Sequence, residues 1–180
     1  MGGDGADTAD ELVVGELRLV LRPARPDEGP VIATVFGAAR ALMTYLPVLH
    51  TPEEDVAFFS EQVLPWSVVT VAVVITPADG VAGAAGTESG IVAGFSAVKD
   101  GWLDHLYVAP PFQGRRLGGA LLERAMTSNP DGLSLWVFEQ NLGARAFYGR
   151  AGFVEIERTD GSANEERMPD VRMAWPGRQS

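Results

Sequence analysis

The sequence feature that most restricts the fold is an uninterrupted run at residues 67–75, Ser-Val-Val-Thr-Val-Ala-Val-Val-Ile. The run is rich in β-branched side chains and lacks the spacing of an amphipathic helix, which is typical of a strand buried on both faces. It is also far shorter than the roughly 20 residues that a membrane-spanning helix needs. The run therefore predicts a sheet covered on both sides, and helices are the simplest cover.

Length and composition indicate one globular domain. The chain has 180 residues, of which 46% are hydrophobic and 21% are charged, and single cores of this size are common. Residues 1–12 are mostly small or acidic and cannot bury enough area to offset the entropy of ordering. We therefore expect a disordered tail at 1–12 and a single domain at 13–180. The first residues lack the basic and apolar regions of a secretory signal, so we expect a cytoplasmic location.

Charge and cysteine content exclude several classes of function. Fourteen basic against 24 acidic side chains give a net charge of −10, which disfavours binding to nucleic acid or to an anionic membrane surface and is compatible with cationic substrates. The absence of cysteine excludes disulfides, thiolate zinc sites and a cysteine nucleophile. We expect no metal site.

The remaining pattern predicts an α/β fold, a mixed sheet with helices on its faces, in the order β-α-α-β-β-β-α-β-α-β-β. Alternating side chains predict a strand at 16–22, and Thr51 begins a helix with a capping box to Glu54. The first helix starts near Val31. Further strands are expected at 67–75, 91–98, 102–109, 133–138, 153–159 and 171–175, with helices at 115–127 and 142–150. The glycine-rich residues 76–90 are expected to form a hairpin loop.

A strand followed by a Gly/Arg-rich turn and a helix predicts an anion site at residues 106–122. The first N–H groups of a helix have no partner within the helix and lie at the positive end of its dipole, so they bind phosphate groups. Gly114, Gly118 and Gly119 leave room for close approach, while Arg115 and Arg116 add positive charge. No Gly-Lys-Ser/Thr and no Gly-x-Gly-x-x-Gly is present, which excludes kinase-like P-loops and dinucleotide folds.

Two motifs in the second half of the chain resemble those of the GNAT superfamily of acetyl-coenzyme A-dependent N-acetyltransferases. Residues 113–118, Gln-Gly-Arg-Arg-Leu-Gly, are similar to its pyrophosphate motif Gln/Arg-x-x-Gly-x-Gly/Ala, with Arg116 in place of the first glycine. The second motif is Asn-x-x-Ala-x-x-Phe-Tyr-x-x-x-Gly-Phe at residues 141–153, which matches without a departure. Asn141 is predicted to cap the helix that Gly152 ends.

The resemblance implies the GNAT fold, with acetyl-coenzyme A as cosubstrate. The acetyl carbonyl and the pantetheine are expected against the backbone of a strand whose neighbour splays away, which leaves amides free to donate. The pyrophosphate is expected at the following helix. The residues expected to hold the cosubstrate are Leu106, Tyr107, Val108, Gln113, Gly114, Arg115, Arg116, Leu117, Gly118, Gly119, Asn141 and Phe147.

For catalysis, the resemblance implies direct transfer to an amine with Tyr148 as the general acid, because a tyrosine of reference pKa about 10 stays protonated at neutral pH. Asp104, four residues before Val108, is the expected general base. His50 and Glu139 are alternatives for the base and for substrate binding. Some GNAT members carry a glutamate five residues before the capping asparagine, but here that residue is Trp136. His105 is expected to face the opposite side of the strand from Asp104.

The sequence leaves the acceptor open. We expect a small-molecule amine or an amino-acid derivative, with the N-terminus or a lysine of a protein as the alternative acceptor. A non-catalytic acyl-coenzyme A-binding module is the alternative from another class. A homodimer is compatible with the resemblance.

Overall fold

The computed structural model describes residues 9–15, 17–75 and 90–178. Within them, eight strands form one mixed sheet in the order β1-β2-β3-β4-β5-β6-β8-β7. The strands are β1 (Asp10–Val14), β2 (Leu17–Pro23), β3 (Val68–Ile75), β4 (Gly90–Lys99), β5 (Trp102–Val108), β6 (Leu133–Phe138), β7 (Val154–Thr159) and β8 (Asp170–Trp175). The α-helices are α1 (Gly29–Arg40), α2 (Pro52–Phe58), α3 (Leu117–Ser128) and α4 (Leu142–Arg150).

The predicted mixed α/β fold is confirmed, and most predicted boundaries differ from the observed ones by only a few residues. The capping box that begins α2 is present in both directions, between Thr51 and Glu54. α2 continues into a wider turn at Phe59–Val63, where the N–H of Leu64 donates to the carbonyl of Phe59 at 2.9 Å. The predicted hairpin loop at 76–90 lies outside the described residues except for Gly90, which begins β4.

The predicted domain boundary at residue 13 was wrong, because it falls inside a strand. β1 pairs antiparallel with β2 along its whole length, from Asp10 opposite Leu21 to Val14 opposite Leu17. The composition of this segment gives little burial, but the edge of β2 supplies partners for its backbone groups. The predicted disordered tail therefore does not include residues 10–12, and residues 1–8 lie outside the described residues.

Helices cover the sheet on both faces. α1 and α2 pack on one face, where Ile32, Phe59 and Phe95 are fully buried. α3 and α4 pack on the other face, around Leu122 and Leu135. β3 contributes to both sides, as its unbroken apolar sequence predicted: alternate residues belong to cores on opposite faces. Among the described residues, no helix is long and apolar enough to cross a membrane.

Within the described part of the chain, β5 and β6 are the one pair of parallel neighbours, and the sheet opens between them. Among the described residues these two strands pair at one position only, Trp102 with Ser134. The N–H of Ser134 also donates to the carbonyl of Gly101 at 2.9 Å, at the same end. Beyond this point β5 keeps its antiparallel partner β4 as far as Val108, whereas β6 keeps β8 as far as Phe138. The two halves of the sheet therefore diverge and leave a gap that widens toward the carboxyl ends of β5 and β6.

His105 occupies an aromatic cage between β5 and the first two helices, on the α1 face of the sheet. Desolvation lowers its pKa from 6.5 to about 4, with a smaller contribution from Arg40. The imidazole is thus neutral at neutral pH and has a structural role. The ring centroids that surround it lie 5.3–6.3 Å away and belong to Phe36, Phe58, Phe59, Phe95 and Tyr107.

This cage predicts a specific loss of stability in acid. Between pH 6.5 and 4 the unfolded chain binds a proton at His105 that the folded chain does not, so the free energy of unfolding falls as pH falls, by up to about 3 kcal/mol from this group. His105→Phe should flatten that part of the pH profile in urea unfolding. The chain has two histidines, so an NMR titration resolves both.

His50 is the internal control for this titration, because the hydrogen bond to Glu165 raises its pKa. The contribution of His50 to the free energy of unfolding has the opposite sign. It stabilises the folded state below pH 6.5 and is lost as the pH rises through the pKa of His50 in the folded state. A His105 resonance that titrates at or above 6.5 would contradict the cage.

Candidate active site between the splayed strands

The gap beside β5 exposes backbone amides of two residues that were predicted to hold the cosubstrate. The N–H of Ala109 donates to the carbonyl of Ala93 in β4 at 2.8 Å. Because successive residues of a strand direct their N–H groups to opposite sides, the N–H of Tyr107 also faces β4, whereas those of Leu106 and Val108 face the gap. In agreement, the carbonyl of Val108 accepts from the side chain of Gln113 at 2.9 Å and not from β4.

The prediction for Tyr107 is therefore corrected: its backbone belongs to the β4–β5 ladder. Its side chain lies on the α1 face, where its ring packs at 5.0 Å from that of Phe36 and 5.9 Å from that of Phe95. The resemblance implied that three consecutive residues offer their backbone amides to the cosubstrate. Because N–H groups alternate along a strand, only every second residue can do so.

The first turn of α3 provides the free N–H groups of the predicted anion site. The helix begins at Leu117, two residues later than predicted, and its first internal hydrogen bond runs from the N–H of Ala120 to the carbonyl of Arg116 at 3.2 Å. The N–H groups of Leu117, Gly118 and Gly119 precede that bond, so no helical carbonyl accepts from them. A methyl group on Gly118 would lie 3.7–3.8 Å from Phe147, Leu106 and Val108, which shows how closely the helix start adjoins β5 and α4.

Arg116 stands at the one position where the sequence departs from the GNAT motif, and its backbone explains why glycine suits that position. Its φ is 67°, in the left-handed region, and Gly114 has a φ of 72°. Arg116 is the N-cap of α3 and is exposed, with no side-chain capping bond. The chain thus forms the turn without the glycine, at the cost of holding a side-chain-bearing residue in a conformation that glycine adopts freely.

Asn141 and Phe147 lie on α4 beside the gap. The side-chain oxygen of Asn141 accepts from the N–H of Ala144 at 3.0 Å, so the predicted cap is confirmed and that oxygen is occupied. Phe147 faces the start of α3, as the distance to Gly118 shows.

Tyr148 is buried, with 8% of its surface exposed, in the core between the two halves of the sheet. Desolvation raises the pKa of its hydroxyl above the usual 10, and the nearby Tyr107 raises it further. The phenol therefore remains protonated throughout the physiological range. Phe147 and Phe153 pack on its ring at centroid distances of 5.1 and 5.6 Å and fix its position.

Asp104 lies at a bulge in β5, between the pairs of Leu103 with Val98 and of His105 with Ala97. The residue is exposed, yet its surroundings desolvate the carboxyl enough to raise its pKa, an effect that Lys99 partly offsets. It lies two residues after Trp102, toward the closed end of the gap.

A cleft of about 380 Å³ opens beneath the loop between β7 and β8, next to the carboxyl end of β6. Its walls combine the aromatic rings of Trp136 and Phe138 with the polar groups of Asn164, Glu166 and Asp170. Trp136 is 43% exposed. The cleft can therefore receive a cationic or partly apolar chain from solvent.

Two ion pairs connect the β7–β8 loop to the segment between α1 and α2. Arg40 at the end of α1 donates to Glu166 at 2.9 Å, with both side chains about one-fifth exposed or less. His50 lies 3.0 Å from Glu165 and 4.0 Å from Glu54, at an exposed position. His50, predicted as a substrate-binding residue, thus lies at an exposed position beside the β7–β8 loop.

Glu139 takes no part in these ion pairs of the β7–β8 loop. Its carboxylate accepts from Arg158 at 2.7 Å, and its carbonyl accepts from Arg145 at 3.0 Å. These arginines also bind Glu155 of β7, so Glu139 belongs to an exposed network at the edge of the sheet.

No pattern in the sequence pointed to Arg40, which approaches the site from α1. Its guanidinium lies over the ring of Phe36 at 5.4 Å and interacts with Glu166 and Tyr107. Arg40 and Glu166 are 126 residues apart, and no local pattern links them.

Together these features define a class of protein: an α/β domain in which a splayed pair of parallel strands, a helix start and a buried tyrosine meet. Comparison with known proteins shows which family the chain is similar to. Residues 68–155 match the model of the acetyltransferase (GNAT) domain. The chain is 30% identical over 90 residues to a peptidyl-lysine N-acetyltransferase, YjaB, from Salmonella typhimurium, an alignment that covers 50% of this chain and 61% of that protein.

Solved structures agree over nearly the whole chain. The solution structure of apo-form YjaB from Escherichia coli aligns with a TM-score of 0.64 and 23% identity, covering 89% of this chain and 99% of that one. The PaiA N-acetyltransferase from Thermoplasma acidophilum in complex with coenzyme A aligns with a TM-score of 0.63 and 19% identity, covering 88% and 98%. The chain therefore has the fold of GNAT acetyltransferases, and its residues 68–155 match the domain model of that superfamily.

The left-handed turn generates a prediction about stability. Arg116→Gly removes the clash of a Cβ in the left-handed region and should raise the free energy of unfolding by about 1 kcal/mol, after the added flexibility of the unfolded chain is subtracted. Urea unfolding measures the difference.

The neighbouring Arg115→Gly is the matched control, because the φ of Arg115 is not positive. That substitution should lower the stability slightly, by the entropy of glycine alone. Equal effects of the two substitutions would show that Arg116 is not strained.

Proposed function

We propose that this protein is an N-acetyltransferase that transfers the acetyl group of acetyl-coenzyme A directly to a primary amine. The observation that carries the proposal is the splaying of β5 from β6. The gap borders the amides of Leu106 and Val108, the first turn of α3 adjoins these two residues, and Tyr148 is buried in the core that includes Leu106. Acetyl-coenzyme A supplies an activated thioester, and the chain supplies the groups that bind it, polarise it and move protons.

The start of α3 would bind the pyrophosphate. Three backbone N–H groups and the positive end of the helix dipole meet there, and Arg115 and Arg116 add positive charge directly before the helix. Gly118 keeps the distance to β5 short, so the pantetheine can continue from the helix into the gap. The exposed Arg116 side chain leaves the N–H groups accessible.

The amides of β5 would then hold the pantetheine and polarise the acetyl carbonyl. Leu106 and Val108 donate from a fixed strand, so their dipoles need no rearrangement as negative charge develops on the carbonyl oxygen. Tyr148 would donate its hydroxyl proton toward the sulfur as the carbon–sulfur bond breaks. Its raised pKa keeps the proton in place until that moment.

The acceptor amine must lose a proton, since an amine of pKa near 10 is mostly charged at pH 7. We propose Asp104 for this role, acting directly or through water, because it is a carboxylate toward the closed end of the gap that forms no ion pair with any described residue. Glu139 is less suitable because Arg158 binds it. His50 lies beside the β7–β8 loop, where it is better placed to contact the acceptor than to take its proton.

The cleft beneath the β7–β8 loop is the proposed entry for the acceptor. The carboxylate of Asp170 can attract an ammonium group, whereas Glu166 is already paired with Arg40, and Trp136 and Phe138 offer apolar contact to the carbon chain that bears the amine. A lysine side chain of a protein has this chemistry, and the Salmonella relative is named for such a substrate. A small primary amine has the same chemistry, so both are proposed acceptors. Mass spectrometry of the products formed from a lysine peptide and from a panel of small amines would distinguish them.

Tyr148→Phe tests the proposed acid. Loss of the hydroxyl should lower kcat by about 100-fold or more while leaving the Kd for acetyl-coenzyme A almost unchanged. Thiol release measures kcat, and calorimetry measures Kd. Tyr107→Phe, which removes another hydroxyl from the same region, should keep most of the turnover; equal turnover of Tyr148→Phe and the wild type would exclude this role.

Asp104→Asn tests the proposed base. The neutral amide cannot accept the proton, so kcat should fall at neutral pH and recover as pH approaches the pKa of the free amine, because the acceptor then arrives deprotonated. The pH profile of kcat/KM is the measurement. Glu139→Gln should behave like the wild type; a profile of Asp104→Asn parallel to that of the wild type would remove Asp104 from the mechanism.

A further inference from the structure

The segment between α1 and α2 carries a hydroxyl group that has no hydrogen-bond partner. The hydroxyl oxygen of Tyr45 is buried, and no described residue forms a hydrogen bond with it. Burial raises the pKa of this phenol, an effect that Arg40 partly offsets, so the hydroxyl keeps its proton and remains a donor at neutral pH. A buried polar group without a partner costs free energy, and native structures contain few of them. The hydroxyl is therefore available to an oxygen from outside the chain.

Tyr45 adjoins the cleft beneath the β7–β8 loop. Its ring packs edge-on against that of Phe138, with the ring centroids 6.5 Å apart, and Phe138 lines the cleft. Tyr45 is also close enough to Arg40 for the guanidinium to influence its ionisation. Arg40 in turn binds Glu166, a second residue of the cleft wall, at 2.9 Å. Tyr45 and Arg40 therefore support the wall to which Phe138 and Glu166 belong.

Arg40 has further donors to offer at this place, because a guanidinium carries several N–H groups in a planar fork. Within the described part of the chain, its Nη1 donates to the carboxylate of Glu166, and it also interacts with the hydroxyl of Tyr107. About one-fifth of the side chain is exposed, so water reaches the remaining donors only in part. Since Glu166 already balances the charge of Arg40, a neutral carbonyl oxygen suits these donors better than a carboxylate.

The cleft and its supporting residues thus combine two kinds of polar group. Asp170 on the wall suits an ammonium group, and Tyr45 with Arg40 suits an oxygen that accepts hydrogen bonds. An amine and a carbonyl that share one carbon atom present both groups within a small unit. The amine of a lysine side chain does not, because a flexible chain of methylene groups separates it from the backbone.

We propose that the acceptor is a primary amine with a carbonyl group attached to the carbon that bears the amine, as in an amino-acid amide, and that Tyr45 and Arg40 bind the carbonyl oxygen. This inference rests on the proposed function. Tyr45 is the specificity-determining residue, because its hydroxyl gains a hydrogen-bond partner when such an oxygen is present. A simple alkylamine leaves the hydroxyl without a partner and forgoes that gain.

The first test compares two acceptors that differ only in the carboxamide group, phenylalaninamide and 2-phenylethylamine. Thiol release gives kcat/KM for each. The ratio of the two values should fall about five- to tenfold in Tyr45→Phe, the effect of one lost hydrogen bond. The two amines differ in pKa, but this difference is the same for both proteins and cancels when their ratios are compared. The Kd for acetyl-coenzyme A should stay unchanged.

Two further variants test whether the effect belongs to this pair of residues. Arg40→Lys keeps the charge that Glu166 binds but loses the planar fork, so it should lower the same ratio. Thr44→Val is the matched control, because it removes an exposed hydroxyl from the residue next to Tyr45 and should leave the ratio unchanged.

Stability gives a second readout that does not depend on turnover. Tyr45→Phe removes a buried hydroxyl without a partner, so it should raise the midpoint of urea unfolding by about 0.5 M. Tyr107→Phe is the comparison, because it removes a hydroxyl that interacts with Arg40 and should lower the midpoint. A variant that gains stability and loses discrimination is expected when a polar group is kept for a ligand.

The outcomes distinguish this inference from the proposed function. An unchanged ratio in Tyr45→Phe, or a lower urea midpoint of that variant, would overturn the inference and leave the proposed function standing. A wild type that acetylates a lysine peptide with a blocked N-terminus more efficiently than phenylalaninamide would do the same. No thiol release with any of the three acceptors would overturn both.

Discussion

The divergence of β5 from β6 is the constraint on which the rest of the site depends. Two parallel strands that pair only at Trp102 and Ser134 leave backbone donors unused along the remainder of β5. In an ordinary sheet those donors would be consumed by the ladder. Here they remain available at Leu106 and Val108, and a substrate can complete the hydrogen bonding that the neighbouring strand does not.

Packing on the two faces keeps the gap open. The α1 face holds an aromatic cluster around Phe59 and His105, and the α3 face holds a core that includes Tyr148. Each half of the sheet is thus supported by its own contacts. The ion pair of Arg40 with Glu166 links α1, which packs on one half of the sheet, to the β7–β8 loop of the other half.

Much of this architecture could be predicted because its signals are local. The bounds of β6 and α4 agree with the sequence-based ranges, since Asn141 and Gly152 mark where α4 begins and where the chain turns after it. Features that depend on distant partners could not be predicted. β1 exists because β2 offers an edge, and Arg40 meets Glu166 across 126 residues. The left-handed Arg116 has no signal of its own, and only the missing glycine pointed to the position.

The measurement that tests the central claim most directly is amide hydrogen exchange followed by NMR, with and without the unreactive analogue desulfo-coenzyme A. In the free protein, the amides of Leu106 and Val108 should exchange quickly while that of Tyr107, which is bonded to β4, is protected. On addition of the analogue, Leu106 and Val108 should become protected, and Tyr107 should stay as it was. Binding without protection of those two amides, or no binding, would contradict the account.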